Sequence, residues 1–217
     1  MKQFSIVTFL ATLFATVATL SSTARTTAAG AFLNAPAAVI PMLDRNARLD
    51  MIDYFNSGSS TPTRNQLNGR SRITEMDSNT VTIEMTDATV YRILLLPAKN
   101  DTVFAVIRTA KLPAHDSDIQ FYNNNWNRFI NQNLYFRQPS LDDWSKASSA
   151  KDKGVVASLV PFILSQYSYD ENKNTLTIEN RMSEFLAPDD LEKITPLMHQ
   201  QLVYIWQPKQ AAFVQQK

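Results

Sequence analysis

Residues 80–86 read Thr-Val-Thr-Ile-Glu-Met-Thr, so that polar and apolar side chains alternate along the whole stretch. Because successive side chains of a β-strand point to opposite faces, this period of two predicts a strand with one buried face. The Asp77-Ser78-Asn79 sequence before it is typical of a turn. Residues 72–76 are therefore expected to pair with this strand as a hairpin.

A second stretch repeats the pattern late in the chain. Residues 174–179 read Asn-Thr-Leu-Thr-Ile-Glu and differ from residues 79–84 at one position, where Leu176 takes the place of Val81. A polar turn at residues 170–174 precedes the repeated strand, and residues 162–169 are its expected hairpin partner. Six residues can match by chance between two Thr-rich strands, so internal duplication stays open here.

Between the two hairpins lie apolar runs that predict central strands. Val90 to Leu96 and Val103 to Ile107 are nearly continuous apolar runs, which indicates strands that are covered on both faces. Ile119 to Tyr122 and Val203 to Trp206 are shorter strand candidates.

Two helices are expected beside the strands. Apolar residues recur at spacings of three and four from Leu43 to Phe55, and Pro41 suits the first turn of such a helix. A second helix is predicted from Pro188 to Thr195, with acidic residues where the helix dipole favours them. The elements together indicate an α+β fold, a largely antiparallel sheet with helices packed on one side. The repeated hairpin leaves open two related α/β-hairpin lobes, residues 25–138 and 139–217, that share one core.

The N-terminus has the order of regions found in a secretory signal. Lys2 is followed by an apolar stretch from Phe4 to Leu20 and by the small residues Ser22-Thr23-Ala24, which predicts a signal peptide at residues 1–24. The competing interpretation is an uncleaved membrane anchor, but the Ser and Thr residues in the stretch weaken it as a spanning helix. We expect export to the periplasm or the outer membrane of a Gram-negative bacterium, without stable membrane insertion after cleavage.

Composition excludes several classes of function. The 217 residues carry 21 Lys and Arg against 20 Asp and Glu. The chain therefore lacks the basic excess of a nucleic-acid binder. The absence of cysteine excludes disulfides, thiolate metal sites and thiol nucleophiles. Export without disulfides fits a bacterial envelope better than a eukaryotic secretory route. Four glycines cannot form a glycine-rich phosphate loop, and two histidines without ligand spacing indicate no metal and no cofactor.

The acids and one histidine offer a catalytic alternative. Asp50 and Asp53 lie three residues apart on the first predicted helix, where a solvated helix face is the simpler explanation. His115 and Asp116 stand in a polar loop, and neighbouring loop residues cannot form a catalytic relay by themselves. A hydrolase acting on envelope glycan or peptide would require two of these four groups to converge in one cleft. No catalytic residue is assigned on this basis.

The segment from Phe121 to Trp144 is the candidate binding region. It contains seven of the 22 aromatic residues of the chain, with six asparagines between them. Aromatic rings beside amide groups suit a sugar or peptide surface, because rings give contact area and amides give direction. The candidate binding residues are Tyr122, Asn123, Asn125, Trp126 and Tyr135. In the alternative interpretation, these rings fill the seam between the two lobes.

A short pattern bears on modification. Asp101-Thr102-Val103 matches the Asp-Thr/Ser-aliphatic pattern that certain bacteria use for O-glycosylation of exported proteins. A hairpin turn explains the same residues, so glycosylation of Thr102 stays open.

Three segments carry a family resemblance. The runs Leu43 to Tyr54, Asn65 to Gly69 and Ile93 to Pro97 resemble an uncharacterised family, a domain of unknown function, of exported proteins from Bacteroides-type bacteria. The resemblance extends over the mature chain, including the Tyr122/Trp126 pair. It implies an envelope location and an α+β fold, and it implies no activity.

The expectation that follows is an exported cell-envelope protein, a non-catalytic binding or assembly module for a protein or glycan. The paucity of catalytic groups and the neutral charge balance favour this hypothesis over a hydrolase. The ligand and the oligomeric state are not determined by the sequence.

Overall fold

The computed structural model describes residues 26–99 and 101–216. The signal peptide predicted at residues 1–24 lies outside the described residues. Within them, ten strands form two antiparallel sheets of six and four strands, accompanied by five α-helices. The arrangement confirms the predicted α+β class with largely antiparallel pairing. No helix among residues 26–99 and 101–216 is both long and apolar enough to cross a membrane.

The first sheet is a meander in which each strand pairs with the next along the chain. Its strands are β1 (Thr63–Arg64), β2 (Arg70–Met76), β3 (Thr80–Thr86), β4 (Thr89–Pro97), β5 (Thr102–Ala110) and β6 (Asp116–Tyr122). The predicted hairpin is confirmed, because Ile73 of β2 lies opposite Ile83 of β3. Sequential antiparallel pairing requires only short turns between the strands.

Both faces of the first sheet are buried at its centre. In β4, Leu94 and Leu96 face the second sheet, whereas Ile93 and Leu95 face the N-terminal helices. All four side chains are buried. Burial on both faces explains why β4 and β5 are nearly continuous apolar runs, as predicted.

Two helices cover the outer face of the first sheet, α1 (Ala28–Asn34) and α2 (Arg45–Asn56). Helix α2 begins after Asp44, whose carboxylate accepts a hydrogen bond from the backbone N–H of Ala47 at 2.8 Å. Pro41 lies in the turn before the helix, so its predicted place in the first helical turn is wrong. Helix α1 was not predicted, because its short run of small and apolar residues has no polar face.

A buried arginine holds the two helices together. Arg48 is 4% exposed, and its guanidinium donates to the carbonyl oxygens of Leu43 at 3.0 Å, Ile40 at 2.9 Å and Phe32 at 3.2 Å, and also to that of Ala35. Loss of solvent lowers the pKa of this guanidinium. Carbonyl oxygens therefore take the place of water around a charge in the apolar layer.

The second sheet has four strands in the spatial order β10-β9-β8-β7. They are β7 (Ser165–Asp170), β8 (Thr175–Asn180), β9 (Gln201–Gln207) and β10 (Ala212–Gln215). The predicted second hairpin is confirmed as β7 and β8, with Tyr167 opposite Ile178. Strand β10 was not predicted, since its sequence, Ala-Phe-Val-Gln, neither alternates between apolar and polar residues nor forms a run of large apolar ones.

Three further helices belong to the second half of the chain, α3 (Leu141–Trp144), α4 (Ala150–Leu159) and α5 (Pro188–Ile194). Helix α5 matches the predicted helix and continues into a 3-10 turn over Thr195–Leu197. Helix α4 was not predicted, because the charges and a glycine in its first half obscure its apolar stripe.

The main core lies between the two sheets. The second sheet contributes an aromatic inner face, and helices α3 to α5 add Trp144, Val156 and Ile194. The inner face consists of Tyr167, Tyr169, Leu176, Ile178, Leu202, Tyr204, Trp206 and Phe213. Three layers result: two helices, the first sheet and the second sheet. The predicted boundary of the two lobes at residue 138 stays a prediction.

Strand β7 runs across the strands of the first sheet rather than along them. Side chains of the first sheet form hydrogen bonds with its free edge. Strand β6 provides these side chains at the start of β7, and β4 provides one near its end. The bonds join Asp116 to the N–H of Ser165 at 3.4 Å, Ser117 to the N–H of Tyr167 at 3.1 Å, and Arg92 to the carbonyl of Tyr169 at 2.9 Å. The crossing brings the β7–β8 turn to the β2–β3 turn.

Candidate functional site

A cleft of about 220 Å³ opens where the two hairpin turns meet, and we call it the junction cleft. Its polar lining combines amide, hydroxyl and carboxylate groups from both sheets. These groups belong to Asn79, Thr80, Asp101, Thr102, Glu171 and Asn174. Strand β7 carries the β7–β8 turn over the first sheet, and this crossing brings the groups together.

A direct hydrogen bond joins the two turns. The side-chain amide of Asn79 donates to the carboxylate of Glu171 at 2.5 Å. Asp77 organises the first turn, since its carboxylate accepts from the N–H of Asn79 at 2.7 Å and from the N–H and hydroxyl of Thr80 at 2.8 and 2.7 Å. The carboxyl of Glu171 also interacts with that of Asp77.

The electrostatics of Asp77 follow from these contacts. Partial burial acts to raise its pKa, but the hydrogen bonds from Thr80 and from the N–H of Asn79 outweigh it, so that the pKa is lowered overall. Asp77 is therefore an ionised acceptor at neutral pH.

The far wall of the junction cleft connects to the predicted aromatic and asparagine segment. The carboxylate of Asp101 accepts from the N–H of Thr102 at 2.7 Å and from the side-chain amide of Asn124 at 3.0 Å. The turn over residues 123–127 is itself held by Asn123, whose side-chain oxygen accepts from two backbone N–H groups of the turn. Asparagines of this turn thus border the junction cleft.

Tyr169 contributes a hydroxyl to the cleft. Its ring belongs to the main core, and its hydroxyl donates to the side-chain oxygen of Asn174 at 3.2 Å. Burial raises the pKa of Tyr169 to about 12, so the phenol keeps its proton near neutral pH.

The structure places the aromatic members of the predicted binding residues inside the protein. Tyr122 and Trp126 are 7% and 9% exposed, and the Trp126 ring packs edge-on against Phe104 at a centroid distance of 4.9 Å. Tyr135 is half-buried and stacks on Phe129 at 4.3 Å. These rings therefore do not form an open aromatic platform. Tyr135 packs against the core between the sheets, as the alternative expects, whereas Tyr122 and Trp126 pack in the core beside the N-terminal helices rather than in a seam between the lobes.

The amide members of the predicted set lie closer to solvent. Asn125 is exposed, and Asn123 is half-buried. Ligand binding by Tyr122, Trp126, Tyr135 and these two asparagines stays a prediction.

The acids proposed for a hydrolase are dispersed. Asp50 and Asp53 are exposed on α2, and no hydrogen bond or ion pair among the described residues links them to His115 or Asp116. The ring Nδ1 of His115 lies 2.9 Å from the carboxylate of Glu184, which also accepts the His115 backbone N–H at 2.7 Å. These hydrogen bonds, the backbone one first, lower the pKa of Glu184.

The sequence did not identify the residues that meet in the junction cleft, because each belongs to an ordinary polar turn. One signal was available in the repeat. Asn79 and Asn174 are the first residues of the two matching stretches, and both line the cleft. Over the part of the chain that the structure describes, no group of three His, Cys, Asp or Glu side chains could hold a metal ion.

Comparisons with known proteins agree on the fold and the family. A solved domain of an uncharacterized protein from Porphyromonas gingivalis W83 superposes with a TM-score of 0.73, covering 87% of this chain and 96% of that one. The two sequences are 24% identical, so this similarity shows the fold alone. No match is found among curated proteins. The family described as "Protein of unknown function (DUF3256)" matches residues 19–211. The predicted resemblance to a domain of unknown function is thus confirmed, and the chain belongs to the DUF3256 family.

Proposed function

We propose that this protein is an exported cell-envelope binding module that holds a glycan in the junction cleft without cleaving it. The observation that supports the proposal is the convergence of amide, hydroxyl and carboxylate groups from two separate sheets in one cleft. Neither turn could assemble that set alone.

The chemistry of the lining favours a sugar. Hydroxyl groups of a sugar both donate and accept hydrogen bonds, and asparagine amides and carboxylates such as Glu171 match both roles. None of the described residues that line the junction cleft is a lysine or an arginine, which argues against an anionic ligand there. A volume of about 220 Å³ is below the ~300–1,000 Å³ of pockets for drug-sized ligands. It suits one sugar unit of a longer chain.

The state of Asp77 supports binding over hydrolysis. A glycosidase needs a carboxylic acid that keeps its proton at neutral pH, which requires a raised pKa. The pKa of Asp77 is lowered, because Thr80 and two backbone N–H groups already donate to its carboxylate. Asp77 does not itself line the junction cleft, and its ionised carboxylate holds the first turn in place rather than supplying a proton.

The binding test is calorimetric titration of the purified protein with oligosaccharides from peptidoglycan and from lipopolysaccharide. Glu171→Gln and Asn174→Ala should weaken binding at least ~10-fold, because each removes a polar partner of the ligand. Asn133→Ala is the control. It changes an exposed asparagine of the aromatic segment that does not line the junction cleft, and it should leave affinity unchanged. Absence of binding to any fraction would contradict the proposal, and release of new reducing ends would favour the hydrolase instead.

Export has its own test. The full-length chain, expressed in its native host, should be recovered from envelope fractions with Arg25 as its first residue. Recovery from the cytoplasm with Met1 intact would contradict the proposed location.

A further inference from the structure

The face of the first sheet that meets the second sheet is only partly covered. Strand β7 divides it, with the apolar core on one side and a second cleft of about 220 Å³ on the other. We call this the cationic cleft. Its floor comes from β3, β4 and β5, its wall is β7, and the lining includes Glu75, Val90, Arg92, Ile107, Lys111 and Tyr167.

Arg92 is incompletely paired. Its Nη1 donates to the carbonyl of Tyr169 at 2.9 Å, which fixes the guanidinium beneath β7. Its Nη2 is 3.9 Å from the carboxylate of Glu75, a side chain that is 65% exposed, and its buried Nε has no hydrogen-bond partner. The edge formed by Nε and Nη2 therefore has no close acceptor among the described residues. Nε is closed to solvent, so a ligand can reach only Nη2, for which a carboxylate is the charge-matched acceptor.

The charges around the cationic cleft do not balance. The Lys111 ammonium lies 3.6 Å from Glu84, but Glu84 is already bound by Arg72 at 2.7 Å. With Arg92 and Glu75 included, three cations face two carboxylates, which leaves one positive charge. His115 at the rim is held by Glu184 and adds no free acceptor. One further anion would complete the arrangement.

The rest of the lining combines an apolar patch with the polar side chains of Thr82, Thr109, Gln166 and Ser168. Val90, Ile107 and Tyr167 lie beside the two cationic residues, and Ile107 and Tyr167 extend into the main core. The cleft therefore pairs two cationic side chains with an apolar patch, and hydroxyl and amide groups border that patch. A ligand that matches both needs a single carboxylate attached to an apolar body.

We propose that the cationic cleft binds a small amphipathic carboxylate, with its carboxylate between Arg92 and Lys111 and its apolar body against Val90 and Ile107. The same chemistry occurs in a free aliphatic acid and in the C-terminus of an apolar peptide. This site is separate from the junction cleft and does not depend on the glycan proposal.

The test is an NMR titration of the full chain with hexanoate, and with hexanamide as the neutral match. Hexanoate should shift the amide signals of Arg92, Ile107 and Lys111, whereas hexanamide should not. Acetyl-alanyl-leucine and its amide form the second pair, and tighter binding of the peptide acid than of hexanoate identifies a peptide C-terminus as the source. Shifts confined to the junction cleft, or equal shifts by acid and amide, would overturn the proposal.

Variants test the two cations. Lys111→Met should weaken hexanoate binding at least ~5-fold, because it removes a charge close to the carboxylate. Arg92→Lys keeps the charge but loses the guanidinium that the Tyr169 carbonyl fixes beneath β7, and it should weaken binding similarly. Lys209→Met, at the exposed turn before β10, is the matched control and should not change affinity. Since Arg92 also holds β7, Lys111→Met decides the matter, and unchanged affinity in that variant contradicts the site.

Discussion

Strands β3 and β8 belong to almost identical stretches, residues 79–84 and 174–179, and yet contribute to different cores. Val81 and Ile83 of β3 pack beneath the N-terminal helices, whereas Leu176 and Ile178 of β8 pack in the main core between the sheets. The Thr and Glu face of β3 looks toward the second sheet and its two clefts. The corresponding face of β8 points away from the main core.

The difference shows what an alternating pattern can and cannot determine. A period of two fixes that one face of a strand is buried, because the other face carries polar groups. It does not determine which layer covers that face. In this protein, the order of layers depends on how the second sheet docks, and the contacts that set it lie in turns and at strand edges. Four predictions test the two cores against each other.

The largest effect is expected in the helix layer. Arg48→Met should destabilise the protein by about 3–5 kcal/mol, because it leaves the buried carbonyls of Ala35, Ile40 and Leu43 without their donor. The free energy of unfolding in urea measures it. Arg45→Met is the control, since the exposed Arg45 donates hydrogen bonds to Leu33 and Asn34 at the end of α1, and its cost should stay below about 1 kcal/mol. Equal losses in both variants would show that the buried hydrogen bonds are not what holds the layer.

The matched isoleucines compare the two cores directly. Ile83→Ala and Ile178→Ala remove the same atoms from fully buried positions of the repeated stretches, so each should cost about 2–4 kcal/mol. If the layers unfold as one unit, the double variant should show a single transition and the sum of the two losses within about 0.5 kcal/mol. Two separate urea transitions would instead mean that the helix layer opens independently of the main core.

A smaller effect is expected at the contact between the sheets. The indole N–H of Trp206 donates to the carbonyl of Pro97 at 2.7 Å, and Trp206→Phe should cost about 1–3 kcal/mol by leaving that carbonyl unpaired. Trp144 is equally buried, but its indole has no hydrogen bond among the described residues. Trp144→Phe therefore removes similar volume without a polar partner. If thermal unfolding shows the same loss in both variants, cavity formation rather than the hydrogen bond explains the cost.

The smallest effect belongs to the segment that connects the sheets. Hydrogen bonds from Arg137 and then from Ser140 lower the pKa of Asp143 to about 2. Because the unfolded value is near 3.9, this carboxylate stabilises the fold above about pH 4, and the contribution disappears as the pH falls toward 2. Solvent screening keeps it below about 1 kcal/mol.

The comparison of wild type with Asp143→Asn in urea at pH 7, 4 and 2 measures this contribution. The difference should be largest at pH 7 and vanish at pH 2. Asp142→Asn changes the exposed neighbour and should give no difference at any of these pH values. A difference that grows toward acid pH would contradict the assignment.

The sequence predicted the fold where a repeating pattern was long enough. Strands β3, β4, β5 and β8 were predicted because five or more residues established either alternation or double-sided burial. Strand β10 and helix α1 were not, because neither sequence shows a clear period of two or of 3.6 residues. Helix α2 was predicted, but its start at Arg45 depended on the side-chain cap of Asp44 rather than on the proline before it.

The candidate site was less accessible to sequence reasoning. Aromatic density drew attention to Tyr122 and Trp126, but large rings are mostly used in packing, and both are buried. The groups of the junction cleft lie about a hundred residues apart in two turns, such as Asn79 and Glu171. Only the docking of β7 brings them together, and no local pattern encodes that docking.

How the outer edges of the two sheets are covered has a consequence for self-association. A free strand edge is a template on which a second copy can add a strand and begin an aggregate. Side chains of the first sheet occupy the edge of β7, and Gln132 binds the backbone of Phe121 at the edge of β6. The remaining edge strands, β1 and β10, are two and four residues long. Strand β1 pairs only with Arg70 and Ser71, however, so residues 72–76 of β2 have no strand on their outer side, and this stretch is where a second copy can add a strand when many copies are crowded at one surface.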